Sequence, residues 1–275
     1  MPSFILHLDS CKHFFEKFKL KKESFDFALA AIGSIIVDID EIGVIKKAHG
    51  RSRNFLKYLL KTDPKYAPLA IGMIMHEELD HAMDTNYINP HISKATALLK
   101  KHNIKHGKIS DLGHSLIDHS IDCAAIENNP QLIKLVKRVR KRVKHHHFHK
   151  IAYHISTFFD GDQKAVLKVI EELRDFDISQ LLSHEKAAEL YSRYLFFANK
   201  KTKIKRLTLL ERSKLALKYF KFVLMHEKQK TKNLLLQAKT HFQNYDKVYS
   251  KAKKTIVKHL KKTRILEPVF SPKDL

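Results

Sequence analysis

The run LTLLERSKLALKYFKFVLMHEKQKTKNLLLQAKTHF, residues 207–242, places apolar side chains such as Phe220 and Leu224 at helical spacing. Thr208 and Glu211 form a capping box near its start, in which each side chain satisfies a backbone amide of the first turn. The run therefore predicts a long helix, and the rest of the second half resembles it.

Helix-breaking residues are concentrated in the first half of the chain. All seven glycines lie at or before Gly161, and no proline occurs between Pro130 and Pro268. Over a hundred residues without a proline favour long helices. No stretch shows the strict apolar and polar alternation, bounded by turn residues, that is typical of strands. We therefore expect an all-α fold.

Three shorter helices are predicted in the first half from their capping residues. Ser24 precedes the apolar run FDFALAAIGSIIV, Asp63 and Pro64 precede a helix that reaches about Met83, and Ser110 precedes a third. These three helices carry the chemically interesting side chains.

The composition excludes several classes of protein. With 44% apolar residues in 275, the chain can bury a core, and two cysteines, Cys11 and Cys123, cannot form a disulfide framework. The longest uncharged apolar run, residues 27–37, is too short to span a bilayer. The N-terminal sequence lacks a basic region and contains Asp9, so we expect no secretory signal and a cytoplasmic protein.

Charge divides the chain into two parts. Residues 1–130 contain 17 Lys and Arg against 16 Asp and Glu, whereas residues 131–275 contain 35 against 13. We therefore predict a helical core in residues 1–130 and a basic helical region in residues 131–275, packed on the same domain or separate from it. The excess favours a polyanionic partner, either nucleic acid or an anionic membrane surface at which the protein is peripheral, and the alternative is a merely solvated face.

One nine-residue pattern occurs twice. HEELDHAMD at 76–84 and HSLIDHSID at 114–122 both place an aspartate four residues after a histidine. On a helix, side chains four residues apart lie on the same face, so His76 stands beside Asp80 and His114 beside Asp118. A neutral imidazole nitrogen and a carboxylate oxygen are ligands for divalent metals such as zinc. The alternative is a surface ion pair, but the apolar neighbours on both helices favour buried ligands.

Spacing excludes several other metal and nucleotide motifs. The two histidines of HEELDH are five residues apart rather than four, so the segment is not the HExxH of zinc proteases. The chain has no His-Asp dipeptide, no second Glu-x-x-His for a di-iron bundle, and no GxxxxGK[ST] phosphate loop.

Two further segments supply candidate ligands. The apolar run AIGSIIVDID ends in Asp38 and Asp40, and His49 follows in KKAHG. A pair of aspartates at a helix end is also a common surface feature, and a single histidine is often structural.

The order GSIIVDID, KKAHG, APLAIGMIMHEELDH and LGHSLIDHSID resembles the zinc-dependent phospholipase C family and related single-strand nucleases. The resemblance covers about residues 1–127 and implies an all-α, phospholipase C-like domain with two or three zinc ions, manganese and iron being alternatives. It implies an early histidine ligand, His7 or His13, and catalytic or metal-binding roles for Asp38 and Asp40. The ligand set carried over by position is Asp38, His49, His76, Asp80, His114 and Asp118.

The resemblance implies a metal-dependent phosphodiester hydrolase acting on a phospholipid or a nucleic acid. In this interpretation zinc lowers the pKa of a bound water that attacks phosphorus. The rival interpretation is a non-catalytic adaptor whose metal stabilises the fold and whose basic helices bind nucleic acid or an anionic membrane. Its best feature is KLVKRVRKRVKHHHFHK, residues 134–150.

Overall fold

The computed structural model describes residues 4–21, 24–40, 43–104, 109–175, 177–183, 185–189 and 228–270. Within these ranges the chain forms helices joined by turns and loops, and no strand occurs, so the all-α prediction is confirmed. The predicted capping box of Thr208 and Glu211 lies outside the described residues. None of the described helices combines the length and apolar character that crossing a membrane requires.

Eleven α-helices lie within the described ranges, and short turns of 3₁₀ or π geometry connect some of them. The α-helices are α1 Phe4–Lys17, α2 Phe25–Ile36, α3 Ser52–Thr62, α4 Ala67–Met83, α5 Asn89–Lys101, α6 Ile109–Asn128, α7 Gln131–Arg142, α8 His145–Phe159, α9 Gln163–Asp175, α10 Lys228–Phe242 and α11 Asp246–Lys262. The 3₁₀ turns are Val37–Asp40, Pro64–Tyr66 and Ile178–Leu182, and Asp84–Ile88 is a π turn.

The chain forms two compact units. The first spans Met1–Asn86, Asn129–Asp177 and Asp246–Leu275, and the second spans Tyr87–Asn128 and Ile178–Tyr245. Each unit therefore takes segments from both the nearly neutral and the basic part of the chain.

The centre of the first unit is the pair α2 and α4. Both helices are buried along most of their length, and two glycines allow their backbones to touch. A Cβ on Gly33 would collide with the carbonyl of Leu69, and one on Gly72 would collide with the carbonyl of Ala30. The absence of side chains at these two positions therefore sets the distance between the helices.

The remaining helices of the first unit cover this pair. α1 packs against α2 and α4, α3 packs on α4, and α11 packs on both α1 and α4. α7 contacts α1 and α2, and α8 joins α3 to α9. The break at Val143 and Lys144 between α7 and α8 interrupts the basic segment, and the valines of α7 are buried as an amphipathic helix requires.

Among the described residues, the second unit contains α5, α6 and α10. Tyr87 donates its hydroxyl to the carbonyl of Phe242 at 2.8 Å, and Lys239 pairs with Glu127. α6 begins at Ile109, so Ser110 lies inside the helix and does not cap it as predicted. Ser24, in contrast, caps α2 by accepting a hydrogen bond from the amide of Phe27 at 3.1 Å.

Candidate metal centre

Four of the predicted site residues meet in the first unit. One ligand atom from each of Asp38, His49, His76 and Asp80 lies within 4.8 Å of every other. Asp38 lies in the 3₁₀ turn after α2, His49 in the loop that follows, and His76 and Asp80 one turn apart on α4. The arrangement could hold a metal ion, and it is the one such cluster among the described residues.

His76 is at the centre of this cluster. Its side chain is fully buried, and its Nε2 lies 2.9 Å from Oδ2 of Asp80 and 3.2 Å from Oδ1 of Asp38. Its other ring nitrogen, Nδ1, lies 2.9 Å from the carbonyl oxygen of Ser34. Because a carbonyl oxygen can only accept, Nδ1 carries a proton, and neutral His76 therefore has a lone pair on Nε2.

That lone pair faces two carboxylates. Neither Nε2 of His76 nor Oδ1 of Asp38 has a hydrogen-bond partner of acceptable geometry, although both atoms are buried. These two atoms and Oδ2 of Asp80 therefore converge without a hydrogen bond between them, which is costly for the two buried atoms. Either a proton on Nε2 or a cation among the three atoms removes this cost.

The pKa values of the cluster reflect the same charge imbalance. Burial alone would lower the pKa of His76, but the carboxylates of Asp80 and Asp38 outweigh it and raise that pKa well above its usual value. Burial likewise opposes ionisation of Asp80, yet His7 and His76 lower its pKa. The neighbouring carboxylates of Asp38 and then Asp40 raise the pKa of His49 to about 10. The site is therefore strongly attractive to positive charge.

Asp40 holds His49 in place rather than joining the cluster. Its Oδ2 accepts hydrogen bonds from the backbone amides of Ala48 at 2.8 Å and His49 at 3.2 Å. The same oxygen lies 3.0 Å from Nδ1 of the His49 ring. The other ring nitrogen, Nε2, is thereby directed at Asp38, 3.4 Å away. A carboxylate that orients a ligating histidine in this way is a common feature of metal sites.

Glu77 fastens the same loop to α4. Its Oε1 accepts from the backbone amide of Gly50 at 2.8 Å and from the hydroxyl of Ser52 at 2.6 Å. Gly50 has a φ of +77°, which favours glycine at this turn. Glu77 therefore positions the His49 loop.

His7, which the sequence analysis names only as an alternative to His13, lies at the site. Its Nε2 lies 3.0 Å from Oδ1 of Asp80, and its ring stacks on that of His76 with centroids 4.0 Å apart. The signal in the sequence was its position on an apolar helix, where neighbours such as Leu6 and Leu8 are buried. His13, the alternative to His7, lies two turns along α1.

The second predicted pair lies in the other unit. His114 and Asp118 are one turn apart on α6, with Nδ1 and Oδ2 separated by 2.8 Å. They do not belong to the cluster of four. The predicted pairing of a histidine with the aspartate four residues later is therefore present on α4 and on α6. The α4 pair belongs to the cluster of four, and the α6 pair does not.

No family model, curated protein or solved structure matches this chain. The resemblance to the zinc-dependent phospholipase C family thus stays a prediction. The function must be argued from the geometry of the cluster and from the charge of the chain.

Proposed function

We propose that this protein is a metal-dependent phosphodiester hydrolase whose divalent ion is held by Asp38, His49, His76 and Asp80. The observation that carries the proposal is the buried Nε2 of His76, which faces two carboxylates without a hydrogen bond. A divalent cation satisfies all three atoms at once.

The donor set fits particular metals. Two imidazole nitrogens and two carboxylate oxygens suit zinc, manganese or ferrous iron better than calcium or magnesium, which prefer oxygen ligands alone. Zinc is the ion that the family resemblance implies. A single cluster of four ligands predicts one ion, fewer than the two or three that the resemblance implies.

The surrounding residues have defined tasks in this proposal. His7 donates to Asp80 and fixes the orientation of that carboxylate, and the carbonyl of Ser34 fixes the tautomer of His76. Asp40 fixes His49. A divalent ion bound there would supply Lewis-acid chemistry, lowering the pKa of a water and polarising a phosphoryl oxygen.

Accessibility favours a catalytic site over a sealed structural one. The side chain of His49 is 40% exposed and that of Asp80 is 24% exposed, whereas His76 is fully buried. One wall of the cluster is therefore closed and another is open to solvent. A structural metal site is normally closed by protein ligands on all sides.

The net charge favours an anionic substrate. The chain carries a formal net charge of +23 at pH 7, which attracts phosphodiesters over long distances. Together with the order of motifs shared with the phospholipase C family, this charge makes phosphodiester hydrolysis the best-supported reaction.

Metal content and hydrolysis, measured on the same preparations, test the proposal. Purified full-length protein should retain about one equivalent of zinc, manganese or iron by elemental analysis and should hydrolyse bis-p-nitrophenyl phosphate. Asp38→Asn should lose the metal and the activity, because it removes a charged ligand. Asp40→Asn should weaken metal binding about 10- to 100-fold, the usual effect of losing an orienting carboxylate.

A matched control is Asp175→Asn, which neutralises an exposed aspartate at the end of α9. It should leave metal content and hydrolysis unchanged. Metal-free wild-type protein that gains no activity with added zinc or manganese contradicts the proposal. Wild-type protein that keeps its metal but hydrolyses no phosphodiester contradicts the catalytic part and supports the adaptor interpretation.

A further inference from the structure

The solvent face of α11 carries a continuous row of lysines. Lys247, Lys251, Lys254, Lys258 and Lys261 recur at alternating spacings of four and three residues, and all five are exposed. At about 1.5 Å per residue the row extends about 21 Å along one side of the helix. We call these five residues the lysine row.

The lysine row has little negative charge near it. The one acidic residue of α11 is Asp246, and among the described residues no carboxylate pairs with Lys247, Lys251, Lys254 or Lys258. Like charges three and four residues apart on a helix repel by a few tenths of a kcal/mol per pair. A solvated helix normally relieves this repulsion with interspersed glutamates. A polyanion laid along the row would relieve it instead.

The opposite face of α11 fastens the row to the helices of the metal centre. Tyr249 donates its hydroxyl to Asp9 Oδ2 at 2.8 Å, and Lys253 pairs with the same carboxylate at 2.9 Å. His259 lies 3.0 Å from the guanidinium of Arg53, which pairs with Glu78 on α4. α11 is therefore anchored to α1, which carries His7, and to α4, which carries His76.

The chemistry of the row favours nucleic acid over a membrane surface. Among the residues that flank the lysines, Ser250 and Thr255 are polar and exposed, and Val248 and Val257 are half-buried. The exposed large apolar side chains of the described chain, Tyr153, Leu182 and Leu236, are not on α11. A helix that lies on a membrane needs apolar residues facing the lipid, whereas a phosphate backbone needs regularly spaced cations alone.

We propose that the lysine row of α11 binds the phosphate backbone of a nucleic acid, and that nucleic acid is the phosphodiester substrate of this protein. The second part rests on the proposed function, and the first does not. Because one strand of a duplex presents a phosphate about every 3.4 Å along its axis, a row of about 21 Å spans about six phosphates. Binding without contacts to base edges should not depend on sequence.

The test compares two triple variants of the full-length protein with the same net charge. Lys251→Gln, Lys254→Gln and Lys258→Gln remove the middle of the row. The control, Lys57→Gln, Lys61→Gln and Lys164→Gln, removes exposed lysines of α3 and α9 in the same unit. Binding of a 30-base-pair phosphorothioate DNA is followed by fluorescence anisotropy between about 50 and 200 mM salt.

We expect the row variant to bind DNA more weakly and with a shallower salt dependence. Losing three phosphate contacts should reduce the slope of log Kd against log salt by about 2 to 3. The control variant should retain the wild-type slope. Equal losses in both variants would mean that net charge alone attracts DNA, and would overturn the proposal.

Vesicles containing phosphatidylserine provide the competing arm. A row variant that loses vesicle binding but keeps wild-type DNA binding would overturn the proposal in favour of a membrane surface. Hydrolysis of bis-p-nitrophenyl phosphate by the wild-type protein is measured separately. If DNA binds through the row but the protein hydrolyses no phosphodiester, the proposed reaction is wrong and the binding surface stands. If the protein hydrolyses the phosphodiester but DNA binding does not depend on the row, the binding surface is wrong and the proposed reaction stands.

Discussion

The tautomer of one histidine determines what the candidate metal centre can bind. The carbonyl of Ser34 accepts a hydrogen bond from Nδ1 of His76, and this leaves the lone pair of Nε2 facing Asp38 and Asp80. The carbonyl comes from α2 and the histidine from α4. A single backbone hydrogen bond between two helices thus prepares the chemistry of the site.

Burial keeps His119 on α6 neutral, whereas the carboxylates around His76 raise the pKa of that histidine. Burial lowers its pKa from 6.5 to about 4, and its Nε2 donates to the carbonyl of Ala187 at 3.2 Å. In the unfolded chain His119 binds a proton as the pH falls through about 6.5, whereas in the folded chain it stays neutral down to about pH 4. The stability due to this residue is therefore complete above pH 6.5 and is lost as the pH falls from there toward 4.

We predict that His119→Gln removes part of the acid sensitivity of the protein. Glutamine can still donate to Ala187 but does not titrate. Between pH 7.5 and pH 5 the free energy of unfolding of the wild-type protein should fall by about 2 kcal/mol more than that of the variant. Urea unfolding followed by circular dichroism at the two pH values measures the difference. Parallel losses in both proteins would show that His119 is protonated in the folded state.

At the level of single residues, the sequence singled out the four residues that meet in the cluster but not how they are held in place. His76 and Asp80 followed from helical spacing, and Asp38 and His49 from motif order. Asp40 orients His49 because the loop brings the backbone amides of Ala48 and His49 next to its carboxylate. The spacing of residues along the sequence does not predict this path of the loop. His7 was undervalued because its partner, Asp80, lies on another helix.

At the level of elements, the close packing of α2 and α4 controls the geometry of the candidate metal centre. Gly33 and Gly72 lie where the backbones touch, and the bond from His76 to Ser34 crosses the same interface. Backbone atoms cannot rotate away as a side chain can. A methyl group at either glycine must therefore push the helices apart.

We predict that Gly72→Ala destabilises the protein by about 1–3 kcal/mol or more and weakens metal binding, because it separates His76 from the Asp38 turn. The control is Gly113→Ala on α6, where the new Cβ would meet the side chain of Thr96 at 3.0 Å. That methyl group can shift, and alanine favours a helix. Thermal unfolding and metal titration of both variants measure the effect. A Gly72→Ala protein with wild-type metal affinity would show that helix spacing does not set the site.

The helices were easier to predict than their ends. α2 and α4 follow from apolar runs behind capping residues, and Ser24 caps α2 as predicted. The start of α4 was placed too early, because Pro64–Tyr66 forms a separate 3₁₀ turn. The division of the basic segment into α7 and α8 was not predicted. Val143 is buried but extended there, so tertiary packing overrides the helical pattern.

For the whole molecule, charge and compactness divide the chain differently. Basic α7 and α11 belong to the first unit together with the nearly neutral α1 to α4. Packing of apolar faces decides which segments form a unit, whereas net charge describes only their solvent faces. A count along the sequence therefore predicts the sign of the partner but not the boundaries of the units.

The same division yields a prediction for metal binding. The four clustered residues all lie in the first unit, and His114 and Asp118 lie in the second. An ion that binds the folded form alone stabilises it by about 2.7 kcal/mol at one hundred times its dissociation constant. We therefore expect chelation to reduce the protection of amide hydrogens in α1, α2 and α4, and metal to restore it.

Hydrogen exchange with mass spectrometry on chelated and metal-loaded protein locates this effect. α6 serves as the internal reference, because it carries the same HxxxD spacing in the second unit. If metal protects the first unit alone, the ion is held by the cluster of four, and the HxxxD pattern by itself is insufficient. Equal protection of α6 would mean that His114 and Asp118 also hold metal, as the phospholipase C resemblance implies. Protection in neither unit would contradict the site, because ligands that bind only the native state must stabilise it.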